Sequence, residues 1–131
     1  MKLNLENLNP GVKFLIDDAN PAEGSITLRL MDSKTAKEHR AAATKTRVEY
    51  HKGVRNVVND VDEALASALF WDHIIVAWDA LIDEKGKPIP CVKDMKIKLM
   101  NESPDFARMV NEKFELLVEG AAERAEEAAK N

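Results

Sequence analysis

The stretch from Asn59 to Ile82, NDVDEALASALFWDHIIVAWDALI, constrains the fold more than any other part of the chain. Asn59, Asp60 and Asp62 stand ahead of it as candidate helix caps, and carboxylates in a first turn suit the positive end of a helix dipole. On a helical wheel Leu65, Leu69, Asp72 and Val76 form one stripe and Ala68, Trp71, Ile75 and Trp78 the next. Only a narrow sector is then left for water, so the stretch reads as one central buried helix with the other elements wrapped around it. Asp72 and Asp79 interrupt the apolar surface. Because an unpaired buried carboxylate is costly, they are expected in the solvent sector or capping the corner that follows.

Upstream, VKFLI and SITLRLM flank DDANPAEG, whose Asp, Asn, Pro and Gly suit a loop between strands. Ile26, Leu28 and Leu30 alternate with Thr27 and Arg29, the pattern of a half-buried strand. A β-hairpin at 12–31 is expected, and since two strands alone are marginal in water it must pack on helices or pair with another chain. Asp17, Asp18 and Glu23 lack the spacing of a calcium loop and read as a solvated turn. MDSKTAKEHRAAATKTR starts with Asp32 and Ser33 as caps and runs on as a polar helix with little but alanine to bury. VEYHKGVRNVV fits helix or strand, with Gly53 marking a break.

Downstream, DEKGKPIP reads as a tight turn in which Gly86 supplies positive φ and Pro88 and Pro90 hold the chain extended. Val92, Met95 and Leu99, with Ile97 nearby, make a short amphipathic helix. NESPD then starts another, with Ser103 as N-cap, Pro104 at the first helical position and Asp105 beside the dipole. Phe106, Val110, Phe114 and Leu117, with Met109 flanking, form its inward stripe, beyond which EGAAERAEEAAKN has only alanines to bury and frays unless a partner holds it. The fold class expected is α+β: a single domain over 1–120, with the N-terminal β-hairpin packed on a helical region at 33–118 of about four helices. An alanine- and glutamate-rich tail follows at 121–131.

At 131 residues such a chain buries about two thirds of its unfolded surface and needs no staple to fold. Lone Cys91 excludes an internal disulfide and suits a reducing compartment, most simply the cytoplasm. The N-terminus has no apolar signal core, and the longest apolar clusters, 64–70 and 74–78, are too short to span a membrane. His39, His51 and His73 lack metal-ligand spacing, and no phosphate-binding glycine loop or serine-hydrolase elbow occurs. Cys91 with His73 could form a nucleophile and base, but a lone thiol after proline reads rather as a small buried hydrophobe. No catalytic residue, cofactor or metal is expected.

The net charge of −4 is unevenly spread, for Ser33 to Arg55 holds seven Lys and Arg against Glu38 and Glu49. A basic segment can follow a phosphate backbone, but only Tyr50 is at hand for base stacking, so a solvated or partner-facing surface is the preferred reading. Lys34, Lys37, Arg40, Lys45 and Arg47 are the candidate partner-binding residues, together with the exposed edge of the 12–31 hairpin.

From Trp71 to Leu117 the chain carries Trp71, Trp78, Asp79, Asp83, Gly86, Pro88, Ile89, Cys91, Lys96, Leu99, Met100, Ser103, Pro104, Phe106 and Ala107 in a pattern that resembles the tail assembly chaperones of long-tailed phages and prophages. Val92 departs from it, standing where a Thr or Ser cap is expected. The resemblance implies a non-enzymatic protein of the bacterial host cytoplasm that binds the tape measure protein and gives way to tail tube subunits, with self-association left open. Two alternatives stand beside it: a structural or connector protein retained in the virion, and a small nucleic-acid-binding regulator.

Overall fold

The computed structural model describes the backbone of residues 1–130 and the side chains of residues 1–121. Asn131 and the side chains beyond Ala121 lie outside the described residues, and with them the side-chain packing on which the expected fraying of the 121–131 tail depends. The fold is α+β, with strands β1 (Val12–Leu15), β2 (Ser25–Leu28), β3 (Thr44–His51), β4 (Val54–Val61) and β5 (Ile75–Asp79). The helices are α1 (Ser33–Ala43), α2 (Glu63–Ile74), α3 (Lys93–Glu102) and α4 (Pro104–Lys130). The chain divides into two compact units, Met1–Leu30 with Trp71–Asn131 and Met31–Phe70, the boundary falling within α2.

The first unit contains the expected N-terminal hairpin. β1 and β2 pair antiparallel with Phe14 opposite Ile26, around a loop that includes a 3-10 turn at Pro21–Glu23. The hairpin is completed by a third strand: β5 pairs antiparallel with β2, setting Ile26 opposite Trp78 and making β2 the centre of a three-stranded sheet. This corrects the reading of 59–82 as one helix. α2 stops at Ile74, and IVAWD is extended.

The reason is backbone hydrogen bonding. Ser25, Ile26 and Leu28 are buried, so the second edge of β2 requires partners for its N–H and C=O groups. The β-branched run Ile74–Ile75–Val76 is well suited to supply them. The register shifts between Thr27 and Leu28, so that Thr27 faces Ala77 while Leu28 faces Ile75. Val76 is the extra residue of this irregularity and is partly exposed.

α4 supplies the other side of this core and packs on β2 and α3. Its start is the one expected: the Phe106 N–H donates to Ser103 Oγ at 3.2 Å. The expected stripe also faces inward, with Val110 and Leu117 buried. Phe114 meets Trp71 edge-on at 6.1 Å between centroids, and Phe106 meets Trp78 at 5.8 Å, geometries that suit the quadrupoles of aromatic rings. The corner before α3 is a hairpin-like turn. Asp83 Oδ1 accepts from the N–H groups of Lys85 and Lys87, Gly86 has φ 78°, and Trp78 Nε1 donates to Ile89 O at 2.7 Å. Val92 caps α3 with no side-chain hydrogen bond, consistent with its departure from a Thr or Ser cap.

The second unit holds α1, the β3–β4 hairpin and the start of α2. Asp32 caps α1 by accepting from the Thr35 N–H at 3.0 Å and the Thr35 hydroxyl at 2.7 Å. The helix ends at Ala43, four residues short of the expected Arg47, and β3 follows without a loop. VEYHKGVRNVV resolves as strand–turn–strand, so the region 33–118 contains a hairpin and a further strand besides its helices. Lys52 and Gly53 form the two-residue turn with φ 51° and 79°, the double positive φ that matches the twist of paired strands. Asp62 caps α2 by accepting from the Leu65 N–H, whereas Asn59 and Asp60 lie in β4.

Candidate functional site

The five basic residues singled out in the sequence are all in the Met31–Phe70 unit, but they do not share one surface. Lys34, Lys37 and Arg40 are exposed on α1. Lys37 and Arg40, three residues apart and so neighbours on the helix, line a shallow groove of about 380 Å³ with Ala41, Thr44, Thr46 and Asn59. Thr44, Thr46 and Asn59 belong to one face of the β3–β4 hairpin, because side chains alternate along a strand and Thr46 pairs with Asn59. The Thr46 hydroxyl donates to Asn59 Oδ1 at 3.1 Å, while the Thr44 hydroxyl is buried with no hydrogen-bond partner among the described residues.

Lys45 and Arg47 are on the opposite face of the hairpin. Arg47 is held there by two carboxylates, donating to Asp60 Oδ2 at 2.6 Å and pairing with Glu49. Its charge is therefore largely answered within the hairpin, whereas Lys37 and Arg40 project from a groove lined by neutral side chains. The edge of the 12–31 hairpin belongs to the other unit.

The residues left ambiguous in the sequence are the most unusual feature of this unit. β3 and β4 are exposed along almost their whole length, including Val48 at 42 % and Tyr50 at 72 %. Val48 lies opposite Val57, and both are on the face that carries the groove. Eight-residue strands with their apolar side chains in water, and no third strand among the described residues, form a sheet that contributes little to a core of its own. The alternation of VEYH and VRNV was the available signal, but a valine-rich run with a central glycine does not by itself separate strand from helix.

In the Met1–Leu30 and Trp71–Asn131 unit the polar groups are tied to the end of α2. Lys96, buried on α3, donates from Nζ to Asp72 O at 3.0 Å and to Asp72 Oδ1 at 3.2 Å. Arg29 Nε donates to His73 O at 2.7 Å, and the Arg29 N–H to Ile74 O at 3.0 Å. Two cations thus serve carbonyls at the negative end of the helix dipole, where the last turn has none of its own donors. Asp72 is accordingly paired while still partly exposed, and Asp79 is exposed.

Burial pushes the Cys91 thiol up, outweighing the opposing pull of the Lys96 ammonium and of a hydrogen bond to the Trp78 backbone. A thiol so placed is held in its protonated, weakly nucleophilic form. An open cleft of about 570 Å³ lies elsewhere in this unit, lined by Ile16, Leu81, Ile82, Phe106 and Met109 with Glu23 and Asp105 among its polar residues. Among the described residues no three His, Cys, Asp or Glu side chains gather as a metal-holding group, and no helix is long and apolar enough to cross a membrane.

No protein-family profile, curated protein or solved structure matches the chain.

Proposed function

We propose that this protein is a non-enzymatic assembly chaperone of phage or prophage tails, which binds the tape measure protein and is displaced as tail tube subunits polymerise. The observation that carries this reading is the pattern from Trp71 to Leu117, whose turn, cap and aromatic landmarks resemble those of such chaperones. Two features of the Met31–Phe70 unit support a partner-binding role. One is the groove in which Lys37 and Arg40 stand beside neutral side chains, and the other is a hairpin that presents valines and Tyr50 to water. An amphipathic helical partner with acidic side chains would set carboxylates against the groove and apolar side chains against the hairpin face. Exposed charge pairs of this kind speed encounter and remain sensitive to salt, which suits a contact that must later be released.

Co-expression with the tape measure protein of the same tail gene cluster tests the reading. The wild-type chain is expected to keep that protein soluble, to co-purify with it, and to be absent from finished particles. Reversing Lys37 and Arg40 to Glu is expected to slow association about tenfold or more at low salt and to flatten its salt dependence. The melting temperature should change little, because exposed charges contribute little to stability. Failure to bind, with the protein present at stoichiometric levels in particles, assigns it instead as a retained connector.

A further inference from the structure

We infer that the free edge of β3 is a self-association site, at which two copies of this chain pair antiparallel about Val48 to form a four-stranded sheet β4–β3–β3–β4. The first observation is the phase of the hairpin's hydrogen bonds. The Asp62 N–H donates to Ala43 O at 2.7 Å, continuing the β3–β4 ladder beyond the Thr44–Val61 pair. In an antiparallel ladder the hydrogen-bonded pairs alternate with pairs that are not bonded. Counting from Ala43 and Asp62, the bonded pairs are Lys45–Asp60, Arg47–Val58, Glu49–Asn56 and His51–Val54. The last of these is also the bonded pair expected to flank a two-residue turn. Thr46, Val48 and Tyr50 therefore direct their N–H and C=O groups away from β4, toward the unpaired edge.

An edge of this kind is a template for another strand, and the side chains select which strand fits. A two-fold axis normal to the sheet requires that one residue face its own copy. With Val48 on the axis, the outward backbone groups of Val48 bond to those of the other Val48, and those of Thr46 to those of Tyr50. Arg47 then faces Glu49 of the other copy, and Glu49 faces its Arg47, both in non-bonded pairs, where side chains approach most closely. Lys45 falls opposite His51. The neighbouring self-pairing about Thr46 sets Lys45 against Arg47, two like charges. The equivalent pairing of the β4 edge about Val57 sets Asn56 against Val58 and Val54 against Asp60. Charge and polarity thus favour the Val48 register over those alternatives. It also joins the Val48, Tyr50 and Val57 faces of two exposed hairpins into one broader sheet, relieving the marginal stability of a lone two-stranded ribbon.

The test needs only the purified chain, so its result is independent of tape measure binding. Sedimentation velocity from micromolar to millimolar concentration is expected to show a monomer–dimer equilibrium. Val48→Pro removes an N–H that points off the hairpin's edge, a place where proline is tolerated, and is expected to weaken dimerisation by about tenfold or more. Glu49→Lys, which sets like charges across the axis, is expected to act in the same direction with an unchanged circular dichroism spectrum. Bonded cross-strand Cα atoms lie about 5.5 Å apart, within disulfide range, so Val48→Cys in a Cys91→Ser background is expected to form a disulfide-linked dimer on mild oxidation, and Val57→Cys is not. A chain that is monomeric throughout overturns the inference. So does a dimer that is insensitive to Val48→Pro and Glu49→Lys, or one cross-linked equally well through position 57.

Discussion

Lys96 and Cys91 lie near the end of α2, and each does something its residue type does not announce. A lysine at the fourth position of a short amphipathic helix reads as solvated, yet Lys96 is only 8 % exposed and its ammonium binds both a helix carbonyl and a carboxylate. Lys96→Met preserves much of the aliphatic stem but leaves Asp72 without its cation. It is expected to destabilise by about 2 kcal/mol in urea unfolding, the range of a hydrogen bond to a charged group; the partial exposure of Asp72 keeps the loss below that of a fully buried pair. Cys91 carries a pH signature. Its folded-state pKa is raised, so its contribution to stability is complete below the pKa of the unfolded thiol and is lost as the pH rises through the folded value. The stability of the wild type relative to Cys91→Ala is therefore expected to fall between neutral and alkaline pH, as measured by urea midpoints on both proteins.

At the level of elements, the β3–β4 hairpin depends on its turn. Lys52 occupies the left-handed region at φ 51°, a conformation that a long side chain adopts at a cost, while Gly53 follows at φ 79° with open space around it. Asn–Gly is the preferred pair for a turn with two positive φ angles. Lys52→Asn is thus expected to stabilise the hairpin by about 0.5 to 1 kcal/mol, read as a raised urea midpoint with an unchanged slope. Gly53→Ala is expected to do the opposite, and purely through backbone strain, since among the described residues no atom lies within 4 Å of an added methyl group.

Across the whole molecule, burial is unequally shared. Ile26, Leu28, Ile74, Ile75, Val110 and Leu117, which make up most of the buried apolar core, belong to the Met1–Leu30 and Trp71–Asn131 unit; Ala43 is the one such residue in the Met31–Phe70 unit. Regions with few buried contacts and solvent-exposed backbone bonds open at lower free energy than the core. Native-state hydrogen exchange is expected to show the strongest protection at the β2 amides of Ile26 and Leu28 and weaker protection at those of β3 and β4. Comparable protection in the hairpin at low protein concentration would show that its strands are stabilised by something beyond the pairing described.

Several features were legible in the sequence because their causes are local. Ser103, Asp32 and Asp62 cap helices through bonds spanning three residues, the Asp83–Lys87 turn closes on its own backbone, and the stripe Phe106–Val110–Phe114–Leu117 follows from helical period alone. The candidate basic residues were also visible, but not their separation, since a one-residue step in β3 sends Thr46 and Arg47 to opposite faces. Whether IVAWD was helix or strand was not a local matter. A continuous apolar run satisfies either periodicity, and only the unpaired edge of β2, about fifty residues upstream, required it to be extended. Local chemistry set the caps, turns and amphipathic faces of this protein; tertiary structure chose the conformation wherever backbone groups had to find partners distant in sequence.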